Sequence, residues 1–290
     1  MAADTTRTLG ASDANADDLR SPPFPPSSAA QAQADDGHPL DVGPPRGADR
    51  FRADAAARSG VADPRQQLSH RRAYNQDPGV VQHIQTFSRA TRGGDWLYTF
   101  TEEWPAPGIK HQLSYTVPMA RFDGERGIGD VALNYRYQWI GDADAKVAIA
   151  PRFTVLLPTG NERRGLGSGG TGVQVMLPAS TVLTPSLIAH WNLSATLTPK
   201  THTHNITAGN SFVWLANHRF NVLVETLWSR TSNRNGHDSQ NTISPGIRWS
   251  YDFPSKLQIV PGLAFPITNH GGGKSVFLYL SFEHPFVKQP

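Results

Sequence analysis

The chain contains no cysteine, which excludes disulfides, zinc–thiolate centres and cysteine nucleophiles. Long hydrophobic runs are also missing. Apolar residues stand in stretches of only a few, far short of the roughly 20 needed for a membrane-spanning helix. Charge is sparse, at 18% of residues with a formal net of +3, so nothing marks a nucleic-acid partner. The first residues do not read as an export leader. Ala30-Gln31-Ala32-Gln33-Ala34 before Asp35 has the letters of a cleavage site, but Asp17-Asp18-Leu19-Arg20-Ser21-Pro22-Pro23 ahead of it is no apolar h-region. The negative mean hydropathy, −0.42, argues against a helical membrane protein. It does not argue against a β-barrel, whose inward residues dilute the average.

The sequence divides near Pro78. Residues 1–78 carry nine Pro, nine Arg and eleven Asp, and their large apolar residues follow no period. Such a stretch buries too little surface to offset its ordering entropy, so a disordered N-terminal segment is expected, with at most a short helix over Ala53–Arg58. Residues 79–290 form the second region and carry +5, the remainder after the −2 of the first 78.

In that second region the pattern turns to period 2. Val131, Leu133, Tyr135, Tyr137 and Trp139 alternate with Ala132, Asn134, Arg136 and Gln138; Leu187, Ala189, Trp191, Leu193, Ala195 and Leu197 alternate with His190, Asn192, Ser194 and Thr196. Successive side chains of a strand point to opposite faces, so each run has one apolar and one polar face. Twelve strands are expected, near 80–88, 96–104, 109–118, 129–140, 145–157, 171–180, 186–197, 205–215, 219–229, 241–251, 256–266 and 275–286. Most are longer than an ordinary globular strand and long enough for a tilted bilayer crossing.

The connections alternate in length. Pro105–Gly108, Gly141–Asp144, Thr181–Pro185, Ala216–His218 and Asp252–Ser255 are short, whereas Met119–Ile128, Pro158–Gly170, Arg230–Gln240 and Ile267–Lys274 are wider. Outer-membrane barrels pair short periplasmic turns with longer outer loops, and an even strand count places both termini in the periplasm. The expected fold is therefore an all-β, antiparallel transmembrane β-barrel in a bacterial outer membrane. A soluble sandwich or lipocalin-like barrel also alternates. Against these stand the long strands, the charges on the polar face and the aromatics recurring near strand ends, among them Trp96, Trp104, Trp228 and Trp249. The membrane reading makes outer-membrane lipid a partner.

Gly129-Asp130 leading into a Tyr-rich strand, then the strand exit Leu157-Pro158-Thr159-Gly160 and a glycine-rich loop with Gly165 and Gly167, resemble one bacterial family. The family is that of outer-membrane β-barrels assigned to the MetA pathway of phenol degradation. The resemblance covers roughly residues 80 to 286. It implies a barrel passing small solutes, aromatic or hydrophobic ones among them. The final strand, with Val276, Leu278, Leu280 and Phe282 alternating up to Phe286, looks like the signal read by the barrel-assembly machinery during insertion. The tail Val287–Pro290 departs from it.

Candidate interior residues follow from the polar faces: Lys110, Gln112, Asn134, Arg136, Gln138, Arg152, His190, Asn192, Glu225 and Arg248. Charged lining residues tune solute selection, and the basic ones outnumber the acidic, which implies a weak anion preference. Paired across a plugged interior, the same residues would conduct nothing. Gly165-Leu166-Gly167-Ser168-Gly169-Gly170 fits a dinucleotide fingerprint in letters only, since a β-run follows it where a helix is required. Glu162, Arg163 and Arg164 in that loop read as solvated, with attraction of an anionic lipid or ligand as the alternative. His202 and His204, with His237, Asp238 and His270 in other loops, fix no third metal ligand by spacing. No cofactor and no metal are expected. An outer-membrane lipase or deacylase stays open as an alternative; it requires a Ser and a His within hydrogen-bond reach on an outer strand surface.

Overall fold

A computed structural model describes Asn75 and residues 79–141, 145–234, 236–255, 257–269 and 273–285. The expected disordered segment (Asn75 apart), the helix over Ala53–Arg58, His270 and Phe286 lie outside the described residues.

Sixteen strand segments make up the wall: β1 (Val80–Ala90), β2 (Trp96–Pro105), β3 (His111–Phe122), β4 (Glu125–Ile128), β5 (Val131–Tyr137), β6 (Val147–Ile149), β7 (Arg152–Leu157), β8 (Gly172–Thr184), β9 (Leu187–Thr198), β10 (Thr203–Leu215), β11 (Phe220–Asn233), β12 (Gly236–Trp249), β13 (Tyr251–Asp252), β14 (Gln258–Ala264), β15 (Ile267–Thr268) and β16 (Gly273–Pro285). Three crossings are each split in two (β4 with β5, β6 with β7, β14 with β15), and β13 is a short extension beyond β12. Twelve antiparallel crossings result. β1 pairs with β16 from Val80↔Pro285 to Ala90↔Ser275, which closes the sheet and leaves no free edge.

The wall is inverted relative to a soluble protein. In β9, Asn192, Ser194, Thr196 and Thr198 are buried, whereas Trp191, Leu193 and Leu197 are exposed. Thr99, Thr101, Thr116 and Ser211 are fully buried; Leu133, Phe153, Val175 and Ile206 stand about half exposed. A soluble sandwich buries its apolar face, so this arrangement is stable only where the outer surface meets hydrocarbon.

Most of the wider connections expected from the sequence are strand. β3 runs on to Phe122 and turns at Asp123-Gly124, both with positive φ, into β4, as a two-residue hairpin requires. β11 and β12 pair up to Asn233↔Gly236. The ladder continues there, but residues such as Asn233, Arg234 and Asp238 put polar groups on both faces, which erases the alternation. Ile267–Lys274 likewise contains β15 and the start of β16. Among the described residues, 158–171 keeps the character of a wide loop, with a single turn at Glu162–Arg164 and no strand.

A candidate solute path and the loop across its mouth

Nine of the ten residues singled out for the interior are buried: Gln112, Asn134, Arg136, Gln138, Arg152, His190, Asn192, Glu225 and Arg248. Lys110 is not in the wall. It sits in the turn before β3 and is exposed, because β3 begins one residue later, at His111. Two inward carboxylates, Glu103 and Glu283, escaped the sequence reading. Arg136, Arg152 and Arg248 therefore face the same interior as Glu103, Glu225 and Glu283. The basic excess that implied an anion preference disappears.

Polar side chains of this interior bond across neighbouring strands. Gln112 donates to Glu103 Oε2 at 2.5 Å, and Arg136 donates to Gln112 Oε1 at 2.6 Å. Arg136 Nε also donates to Asn75 Oδ1, and the Asn75 backbone N–H donates to Gln138 Oε1, both at 3.1 Å. Asn75 precedes β1 yet bonds to Arg136 in β5 and to Gln138 just past its end, which places it inside the barrel. Hydroxyl pairs Thr86–Thr99, Thr101–Thr116, Ser194–Thr207 and Thr242–Thr268 lie at 2.7–2.8 Å. The Arg248 guanidinium sits 4.9 Å from the centre of the Tyr279 ring, within cation–π range. A groove of about 940 Å³ lined by Trp191, Leu193, Asn210 and Trp228 lies on the outward face, so it faces lipid and is no part of this path.

Among the described residues one Ser–His hydrogen bond is seen: Ser180 Oγ lies 2.8 Å from His190 Nδ1. Both residues are buried on the inward face. A lipase or deacylase of the kind considered above needs the pair on the outside of the wall. His202 touches the Arg234 guanidinium. Among the described residues no three metal-ligating side chains come together.

The loop 158–171 folds over one end of the barrel. Leu166 is buried against Ala90, Leu97, Ala120 and Phe122, which are inward residues at the matching ends of β1, β2 and β3. The loop is tied down by residues at both of its flanks. Asp130, fully buried, accepts from Gly160 N at 2.8 Å with Oδ1, and from Ser168 N at 2.8 Å and Ser168 Oγ at 2.6 Å with Oδ2. Thr159 Oγ1 donates to Gly129 O and accepts from Val131 N, both at 2.9 Å. Leu157 ends β7 opposite Val131, and Pro158 starts the loop.

Glycines permit this closure. A Cβ on Gly160 would lie 2.2 Å from Leu166 O, and one on Gly167 would lie 2.5 Å from the Gly160 carbonyl, so the two backbones touch directly. Gly165 adopts φ 69°, a left-handed conformation that ends the single turn Glu162–Arg164. Glu162 and Arg164 stay about half exposed, as the sequence reading of solvated charges expects, and each has an ion-pair partner: Arg164 Nε to Glu125 at 2.5 Å and Lys200 Nζ to Glu162 at 3.1 Å. Lys200 Nζ also donates to Gly169 O at 2.5 Å. Leu166, Ser168, Glu125, Lys200 and Asn75 were not found by sequence reasoning. Leu166 had a visible signal, a lone large apolar residue between two glycines in a polar loop.

Residues 78–278 match the model of the family described as "Putative MetA-pathway of phenol degradation". No curated protein matches the chain. Among solved structures, an outer membrane channel from Pseudomonas putida F1 aligns with a TM-score of 0.53 at 11% identity, covering 73% of this chain and 97% of its own. The KdgM porin aligns with a TM-score of 0.45 at 8% identity, covering 72% and 99%. The first of these likenesses establishes a shared fold.

Proposed function

This chain belongs to the MetA-pathway phenol-degradation family, and on that premise we propose that it is a passive outer-membrane channel for small solutes, hydrophobic aromatic compounds among them. The observation that carries this reading is the inverted wall, polar within and apolar without, with one loop laid across the mouth. The interior hydroxyls, amides and balanced charges are nearly closed to solvent in this structure, so a solute passes by exchanging hydrogen bonds with side chains that move aside for it, and no ion of one sign is held. Loop 158–171 narrows entry and sets a size limit. The protein acts without chemistry on the solute, resides among outer-membrane lipids and is inserted there by the barrel-assembly machinery, which reads the alternation of β16. Swelling of liposomes carrying the refolded protein tests the reading. Small phenols and short sugars should enter faster than into empty liposomes; equal rates for both would sink it.

A further inference from the structure

We propose that His83 and His284 form a two-histidine site for a divalent transition-metal ion, such as Zn2+, across the seam that closes the barrel. His83 lies on β1 and His284 on β16, the two strands whose pairing closes the sheet. Their inward neighbours Gln82 and Glu283 are buried, so both imidazoles face outward near the ends of their strands. The two Nε2 atoms are 3.1 Å apart, while the ring centroids are 5.3 Å apart. The rings therefore meet through these nitrogens. Zinc binds imidazole nitrogen at about 2.0–2.1 Å, which puts two ligands of a tetrahedral ion about 3.3 Å apart.

The other ring nitrogens decide the chemistry. His83 Nδ1 faces Glu102 Oε2 at 3.7 Å, and His284 Nδ1 faces the Pro285 carbonyl oxygen at 3.4 Å. Metal-binding histidines turn their remaining N–H toward a carboxylate or a backbone carbonyl, which fixes the tautomer and raises ligand basicity. At 3.7 Å Glu102 lies close to His83 Nδ1 without a hydrogen bond to it, and metal binding would draw the two together. Without a cation one Nε2–H donates to the other Nε2. Binding shifts that proton to Nδ1 of its own ring and leaves both Nε2 lone pairs to the ion. Glu102 is itself oriented, accepting from Tyr115 OH at 3.1 Å. Phe100 and Phe282 flank His83, each with its ring centroid 6.1 Å away, and restrict its rotation. Water or a lipid phosphate completes the coordination shell at this rim. The absence of cysteine leaves no thiolate to compete for a borderline-soft ion.

Calorimetric titration of the full, refolded chain in detergent with ZnCl2 tests the site. One saturable site per barrel is expected, weakened at least tenfold by His83→Ala or His284→Ala and unchanged by His202→Ala. Glu102→Gln should cost about 10–100-fold, as removal of an orienting carboxylate does. Zn2+ should also raise the temperature at which the barrel loses its compact migration in detergent gels, in the wild type but not in either histidine variant. Where alanine impairs refolding, His83→Gln gives the same comparison. No saturable binding, or equal binding by the His83→Ala/His284→Ala double variant, would overturn the proposal.

Discussion

The carboxylate of Asp130 receives both the backbone N–H and the hydroxyl of Ser168, at 2.8 and 2.6 Å, across 38 residues of chain. With the Gly160 N–H on its other oxygen, this one side chain pins both halves of the loop over the barrel mouth.

Asp130→Ala should release the loop. Hydrogen bonds to a charged group contribute about 1.5–3 kcal/mol each, so losing this set moves the loop from largely closed to largely open. Single-channel conductance should rise, and protease should cut within 158–171 at a rate the wild type does not show. Ser168→Ala removes the hydroxyl but keeps the backbone N–H, so its effect should be smaller. Unchanged conductance in Asp130→Ala would remove the loop from the account.

Gly160→Ala and Gly167→Ala should also open the mouth, because each added methyl meets backbone that has no rotamer to give. Overpacking of this kind costs about 1–3 kcal/mol. Gly108→Ala, in a turn at the other end with nothing within 4 Å, serves as the control and should leave conductance unchanged. The comparison separates a specific contact from a general intolerance of glycine loss.

The two faces should answer differently to charge. Leu193→Arg puts a cation on the outward surface and should lower refolding yield into liposomes, at about 2–4 kcal/mol near the midplane. Asn192→Arg, one residue away but inward, should refold and instead change conductance. Equal loss of folding in both would contradict the assignment of faces.

Much of this architecture was legible in the sequence where one face is apolar and the other polar. The expected strand 186–197 is observed as Leu187–Thr198, and the count of twelve crossings follows from such runs. The signal fades where strands rise past the apolar belt, which is why the β3–β4 and β11–β12 hairpins read as loops. Lys110 was misplaced because a strand's first residue cannot be fixed by alternation alone. The mouth loop was partly legible: its glycines and Asp130 stood out through the family motif. Its partners Leu166, Ser168 and Lys200 depend on how distant strands meet, and no periodicity encodes that.

Planar-bilayer recording of the refolded wild type beside Asp130→Ala tests the central claim most directly. The account predicts stepwise conductance from the wild type and larger or more frequent steps from the variant. A silent membrane with both proteins, each inserted and folded, would contradict it.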